Sequence, residues 1–133
     1  MTSDSLSRLR SIAMGAAGSI CLIYAVLAIL SGAPDPISPW IPGVSGFVAA
    51  IIITLGFRRA GRSEGLRASD ELYQVQANRA HRIGYWSAIL MYPLFGFFLS
   101  QEWVTWQVAF AAMGTLTAAS YLIPFSILTG RDV

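Results

Sequence analysis

The chain predicts an all-α integral membrane protein, an antiparallel four-transmembrane-helix bundle whose third helix extends into the cytosol. Three observations predict it. Of 133 residues, 55% are hydrophobic and only 12% are charged, with a mean hydropathy of +0.58, where a soluble domain carries about 25% charge. The apolar residues gather into four runs close to the ~20 residues that span a bilayer. All nine basic residues are arginines, and they fall at the chain ends and in one loop, which is a topology signal. One transmembrane domain, 1–133, is expected.

The elements follow in order. Met1 to Arg10 is a short polar lead with Arg8 and Arg10. The first span covers about 11–30, SIAMGAAGSICLIYAVLAIL. It is longer than the ~7–15-residue core of a signal peptide and reads as a retained helix. Residues 31–42, SGAPDPISPWIP, hold four prolines, which forbid a regular helix over that loop. Pro42 suits the first turn of the next helix. Trp40 is an interfacial anchor. The second span covers about 43–57, on the short side for a ~30 Å core, so Trp40 to Pro42 should dip into the interface.

The cytosolic loop and helix, 58–82, carry six of the nine arginines. Ser69 is the expected N-cap, and Asp70 and Glu71 then fall in the first turn, where the helix dipole favours carboxylates. From Ser69 to Ser100 the chain reads as one helix. It starts in water and ends across the bilayer. At ~1.5 Å per residue it is about 48 Å long, so roughly a third of it stands clear of the membrane. Its span is about 83–100, with a kink expected at Pro93. Trp103 and Trp106 belt the far interface, and the fourth span covers about 103–128, ending near Pro124. Arg8, Arg10, the loop arginines and Arg131 share one side, so both termini are cytoplasmic in a multi-pass protein.

Small residues permit close helix approach where lipid supplies no hydrophobic drive. Gly15, Gly46, Gly84, Ala88 and Gly114 are the candidate packing positions. The same faces can serve a homo-oligomer instead, and spacing does not separate the two uses.

Chemistry is sparse. No ionisable residue lies in the middle of a span, whereas proton-coupled transporters keep one at depth. The chain resembles small multidrug exporters in length and helix count only, and it lacks the glutamate they carry in the first helix. Cys21 is the single cysteine and His81 the single histidine, too few and too far apart for a metal or haem site within one chain. Asp70 and Glu71 are adjacent and point apart on a helix, so they form no dyad. No catalytic residue, metal or cofactor is expected, and the protein reads as non-enzymatic.

The polar part of the third helix remains. Glu71, Gln74, Asn78, His81 and Arg82 share one stripe at helical spacing, and Asp70 is grouped with them at its head. It is either a plain solvated face or a docking face for a cytosolic protein. Arg58, Arg59, Arg62 and Arg67 suit lipid headgroups. His81, an imidazole near the headgroups, would suit a pH sensor. The loop carries no nucleic-acid module, so direct nucleic-acid binding is not expected.

Over SDELYQVQANRAHRIGYW the chain resembles a loose group of small bacterial four-span membrane proteins of unknown function. The shared features are an acidic pair, then a helix with Asn, Arg and Ala, then an aromatic span. Some of these proteins are encoded beside helix-turn-helix regulators of the phage-repressor type. The resemblance implies a bacterial inner-membrane location and a membrane-held partner for a cytosolic regulator; it transfers no catalytic residue. Two other roles stay open. One is a structural accessory subunit of a larger membrane complex. The other is a lipid or small-molecule binder using the space beside Pro93.

Overall fold

The computed structural model describes residues 2–130; Arg131, counted above among the cytoplasmic arginines, lies outside them. The described residues are helical, with no strand among them: α1 Ser3–Ser31, α2 Trp40–Ala60, α3 Arg62–Arg67, α4 Glu71–Ser100 and α5 Trp106–Gly130. Four of these, all but α3, are long and apolar enough to cross a membrane.

Local chemistry sets the ends. The Thr2 side chain accepts a hydrogen bond from the Ser5 amide at 3.3 Å and caps α1, and Gly32 closes that helix at φ 65°, a conformation open to glycine. Asp70, not Ser69, caps α4: its Oδ1 accepts from the Tyr73 amide at 2.9 Å. The extended backbone at 70, with a carboxylate that reaches the third amide of the helix, suits the role. The second helix starts at Trp40, with Pro42 inside its first turn, where the missing N–H costs nothing. The last helix starts at Trp106 and continues past Pro124 to Gly130. The arginine loop contains the short helix α3. α4 runs without a break through Pro93.

The helices pack in the order α2, α1, α5, α4. Helix α1 lies along α5 on one side and α2 on the other, and α4 lies along α5. No extended contact joins α2 to α4, so the pair that would close an up-down bundle is missing and the four form an open row. The centre of the row is its tightest part. Ala17, Gly18, Cys21, Ala25 and Ala28 are buried on α1 at spacings of one, three and four residues. A Cβ on Gly18 would stand 2.8 Å from Leu122 Cβ and 3.1 Å from the Ile123 amide nitrogen. Ser11 and Ser126 bond reciprocally: each hydroxyl donates to the other residue's carbonyl at 2.7 Å. Such paired hydroxyl bonds fix register where apolar contact alone does not. At the far end the Tyr24 hydroxyl donates to the Pro34 carbonyl at 2.9 Å and ties the first loop to α1.

Candidate functional site

The end of the molecule that holds residues 2–12 and 58–82 is built around Arg10. Arg10 is only 4% exposed. Its place follows from helical spacing: seven residues on is Ala17, then Cys21, Tyr24 and Ala28, all buried on the same stripe. The guanidinium lies 3.6 Å from the centroid of the Tyr73 ring, with the Phe57 ring at 6.0 Å. Its Nη2 donates to the Ala68 carbonyl, the C-cap of α3, at 2.8 Å. One side chain thus joins α1, the end of α3 and the first turn of α4. A second tie runs the other way: the Ser3 amide, in the first turn of α1, donates to Glu64 Oε2 of α3 at 2.8 Å. Each tie satisfies a helix-end group that the helix itself leaves open. Burial draws the Arg10 pKa down from the ordinary arginine value, while Tyr73, Asp70 and Tyr121 act in the opposite sense. Arg10 Nε is buried without a hydrogen-bond partner.

The α4 extension is clamped along one side. Tyr73 meets the Phe125 ring edge-on at 5.9 Å. Ala80 is fully buried, and a Cβ on Gly84 would stand 3.0 Å from Tyr121 Cβ. The expected lone rod is therefore flanked by α5, which runs beside it to Gly130, and by the first turns of α1. On the opposite side Asp70, Glu71, Gln74, Asn78, His81 and Arg82 are all exposed. Asp70 is also the helix cap. The His81 ring lies 4.5 Å from the Tyr121 ring at a tilt of 45°, with Nδ1 2.8 Å from the Ala77 carbonyl. Its ring thus turns toward α5, unlike the other exposed members of the stripe.

The other predicted positions scatter. Gly15 abuts Ser126, and Gly84 abuts Tyr121. Gly46 and Gly114 have no heavy atom within 4 Å of an added Cβ, so neither sits at a helix contact in this chain. For Gly46 the reason is that it lies on an open side of α2, an edge helix of the row. Ala88 and Gly114 face a groove of about 530 Å³ between α4 and α5, also lined by Tyr92, Phe95, Gly96 and Phe110. Pro93 is exposed and is not among the residues lining it. Arg58, Arg59, Arg62 and Arg67 are exposed, with Arg67 Nη1 3.4 Å from Glu64 Oε1. Among the described residues no three His, Cys, Asp or Glu side chains converge as a metal set.

Sequence reasoning passed over Arg10, Glu64 and Tyr73. Arg10 was readable from its place on the buried stripe. The Glu64 tie was not, because it depends on how α3 folds back over α1. Comparison with protein-family models, curated proteins and solved structures finds no match.

Proposed function

We propose that the chain is a non-enzymatic, multi-pass protein of a bacterial inner membrane that holds a cytosolic partner protein through helix 69–82, with both termini cytoplasmic. The observation that carries this reading is the division of the α4 extension into two sides. One is locked by Tyr73, Ala80 and Gly84, and the other presents Glu71, Gln74, Asn78 and Arg82 to solvent. A rigid polar helix face binds without a large ordering cost.

Helix levels support the placement in water. Gly84 lies beside Tyr121, and Gly18 beside Leu122 and Ile123, so Gly84 is about level with Gly18, roughly 12 Å along α1 from Arg10 at 1.5 Å per residue. On α2 the apolar run ends at Phe57, beside Arg10 itself. The polar boundary is thus lower on α4 than on α2. A flat bilayer meets both boundaries when the row sits tilted, within the usual range for transmembrane helices. Residues 71–82 then rise above the headgroups.

The triple change Glu71→Arg, Asn78→Glu and Arg82→Glu is expected to abolish co-purification of a cytosolic partner from mild detergent. The unfolding transition should stay within about 0.5 kcal/mol of wild type, as exposed sites allow. An unchanged set of co-purifying proteins counts against the reading.

The second reading, an accessory subunit of a membrane complex, draws on a different observation. Gly43 and Gly46 on α2 have open space before them, as positions that receive another helix would. Gly46→Leu is then expected to free the chain from a larger assembly on blue-native gels while the isolated chain keeps its stability. Unchanged migration of the assembly would exclude that face.

A further inference from the structure

The four exposed arginines of the 58–67 segment do not share one setting. Arg67 is paired with Glu64. Arg58 and Arg62 instead line an open cleft of about 410 Å³ where α2 passes into α3, a size within the ~300–1,000 Å³ of ligand sites. Arg59 is not among its lining residues. Two glycines make the cleft. Gly61 turns the chain out of α2 at φ 81°, a region open to glycine. Gly65 then lets α3 close on the end of α2, since a Cβ there would stand 3.2 Å from the Phe57 ring. Arg58 and Arg62 are both exposed, and neither side chain makes a hydrogen bond or ion pair among the described residues. No carboxylate of the described residues lines the cleft. Glu64, between the two glycines in sequence, is engaged by the Ser3 amide and by Arg67.

The cleft also begins where a span ends. Phe57 lines it and is the last residue of the apolar run of α2, and Arg58 is the first residue beyond. Phe47, Ile51, Leu55 and Arg58 follow at spacings of four, four and three, so they share one side of the helix. The three apolar members are exposed, on an edge helix of the row. From Phe47 to Arg58 that track is about 16 Å long, roughly half of a ~30 Å core and so the depth of one leaflet. Exposed Leu66 is on the rim of the cleft. Two unpaired cations thus head an uncovered apolar track.

We propose that this cleft binds an anionic phospholipid of the cytoplasmic leaflet, its phosphodiester between Arg58 and Arg62 and an acyl chain along Phe47, Ile51 and Leu55. Arginine is suited to phosphate by its forked donors. An ammonium joined to the phosphate would meet two arginines and no carboxylate, which disfavours a zwitterionic headgroup. A soluble phosphate would make the same arginine bonds and leave the apolar track uncovered. The proposal rests on the membrane-spanning reading and not on the docking face.

The test is retention of lipid by the full chain. Bilayers of equal phosphatidylglycerol and phosphatidylcholine are carbonate-washed and extracted into mild detergent, and bound lipid is counted by native mass spectrometry. Phosphatidylglycerol is expected at about tenfold over phosphatidylcholine, the order that two arginines at a membrane surface supply. Arg58→Gln and Arg62→Gln should each cut that preference to about threefold or less. Arg59→Gln removes the same charge outside the cleft and should leave the preference within about twofold of wild type, because screening weakens what is not in contact. Equal retention of the two lipids overturns the proposal. An Arg59→Gln loss as large as that of Arg58→Gln assigns the preference to diffuse surface charge and overturns the cleft. Thermal stabilisation by inorganic phosphate without lipid preference assigns the arginines to a free anion and overturns the lipid. Loss of the chain in the carbonate wash overturns the membrane reading itself, and that step tells it apart from a wrong headgroup.

Discussion

Gly18→Val is expected to cost the isolated protein about 3 kcal/mol of unfolding free energy, near the top of the usual overpacking range. Helix propensity alone predicts the opposite sign, since glycine is the poorer helix former by a few tenths of a kcal/mol. Packing decides the sign. A single methyl at 18 meets Leu122 Cβ at 2.8 Å, Ile123 Cγ1 at 2.9 Å and the Ile123 backbone nitrogen at 3.1 Å. The last of these cannot rotate away, so α1 and α5 must separate. Separation also stretches the reciprocal Ser11–Ser126 bonds, two turns along the same crossing. Gly46→Val is the control. It carries the same propensity change into open space and should move stability by no more than about 0.5 kcal/mol. Denaturant titration of both variants in one detergent makes the comparison. Equal effects would mean that the α1–α5 crossing is not the close contact described.

That contrast also marks how far the sequence reaches. The four apolar runs and the polar head of α4 were legible because bilayer thickness imposes a length and helical periodicity imposes a face. Small residues were legible as a set, but not as partners. Gly15 and Gly84 lie in contacts, whereas Gly46, equally small, has open space before it and Gly114 opens on the groove between α4 and α5. Composition says that a helix can approach closely at such a position, and only the order of helices says whether one does. The row α2, α1, α5, α4 could not be read from loop lengths, because short loops also permit the closed bundle. The polar stripe of α4 has a similar history. Its exposure follows from its spacing, while the shielding of its far side by α5 depends on that last helix passing Pro124. A proline after the first turn usually argues for an end or a kink. Here the chain stays helical to Gly130, and the extension gains a neighbour.

Arg10→Ala is expected to lower stability by about 3 kcal/mol, the usual loss when one member of a buried charged contact is removed. The side chain makes two contacts that water cannot replace. Its bond to the Ala68 carbonyl is charge-assisted, about 1.5–3 kcal/mol in that class, and a desolvated cation over an aromatic face contributes about 2 kcal/mol. Against these stands the cost of holding a guanidinium at 4% exposure, which alanine relieves. The balance stays unfavourable because truncation also strips the stem from between Phe57 and Tyr73 and leaves the end of α3 untied. Arg10→Met separates these parts. It restores the apolar stem and should recover part of the stability. It cannot tether Ala68, so protease cleavage within residues 61–70 should rise in both variants alike. Arg10→Lys keeps the charge, but an ammonium cannot lie flat over Tyr73 and reach the carbonyl together, so it too should loosen that segment. A double-mutant cycle with Tyr73→Leu should return a coupling of about 1–2 kcal/mol. A coupling near zero, with cleavage at the wild-type rate in Arg10→Ala, would show that α3 and the head of α4 are held by something other than this arginine. The docking face would then lack the part that fixes it to α1.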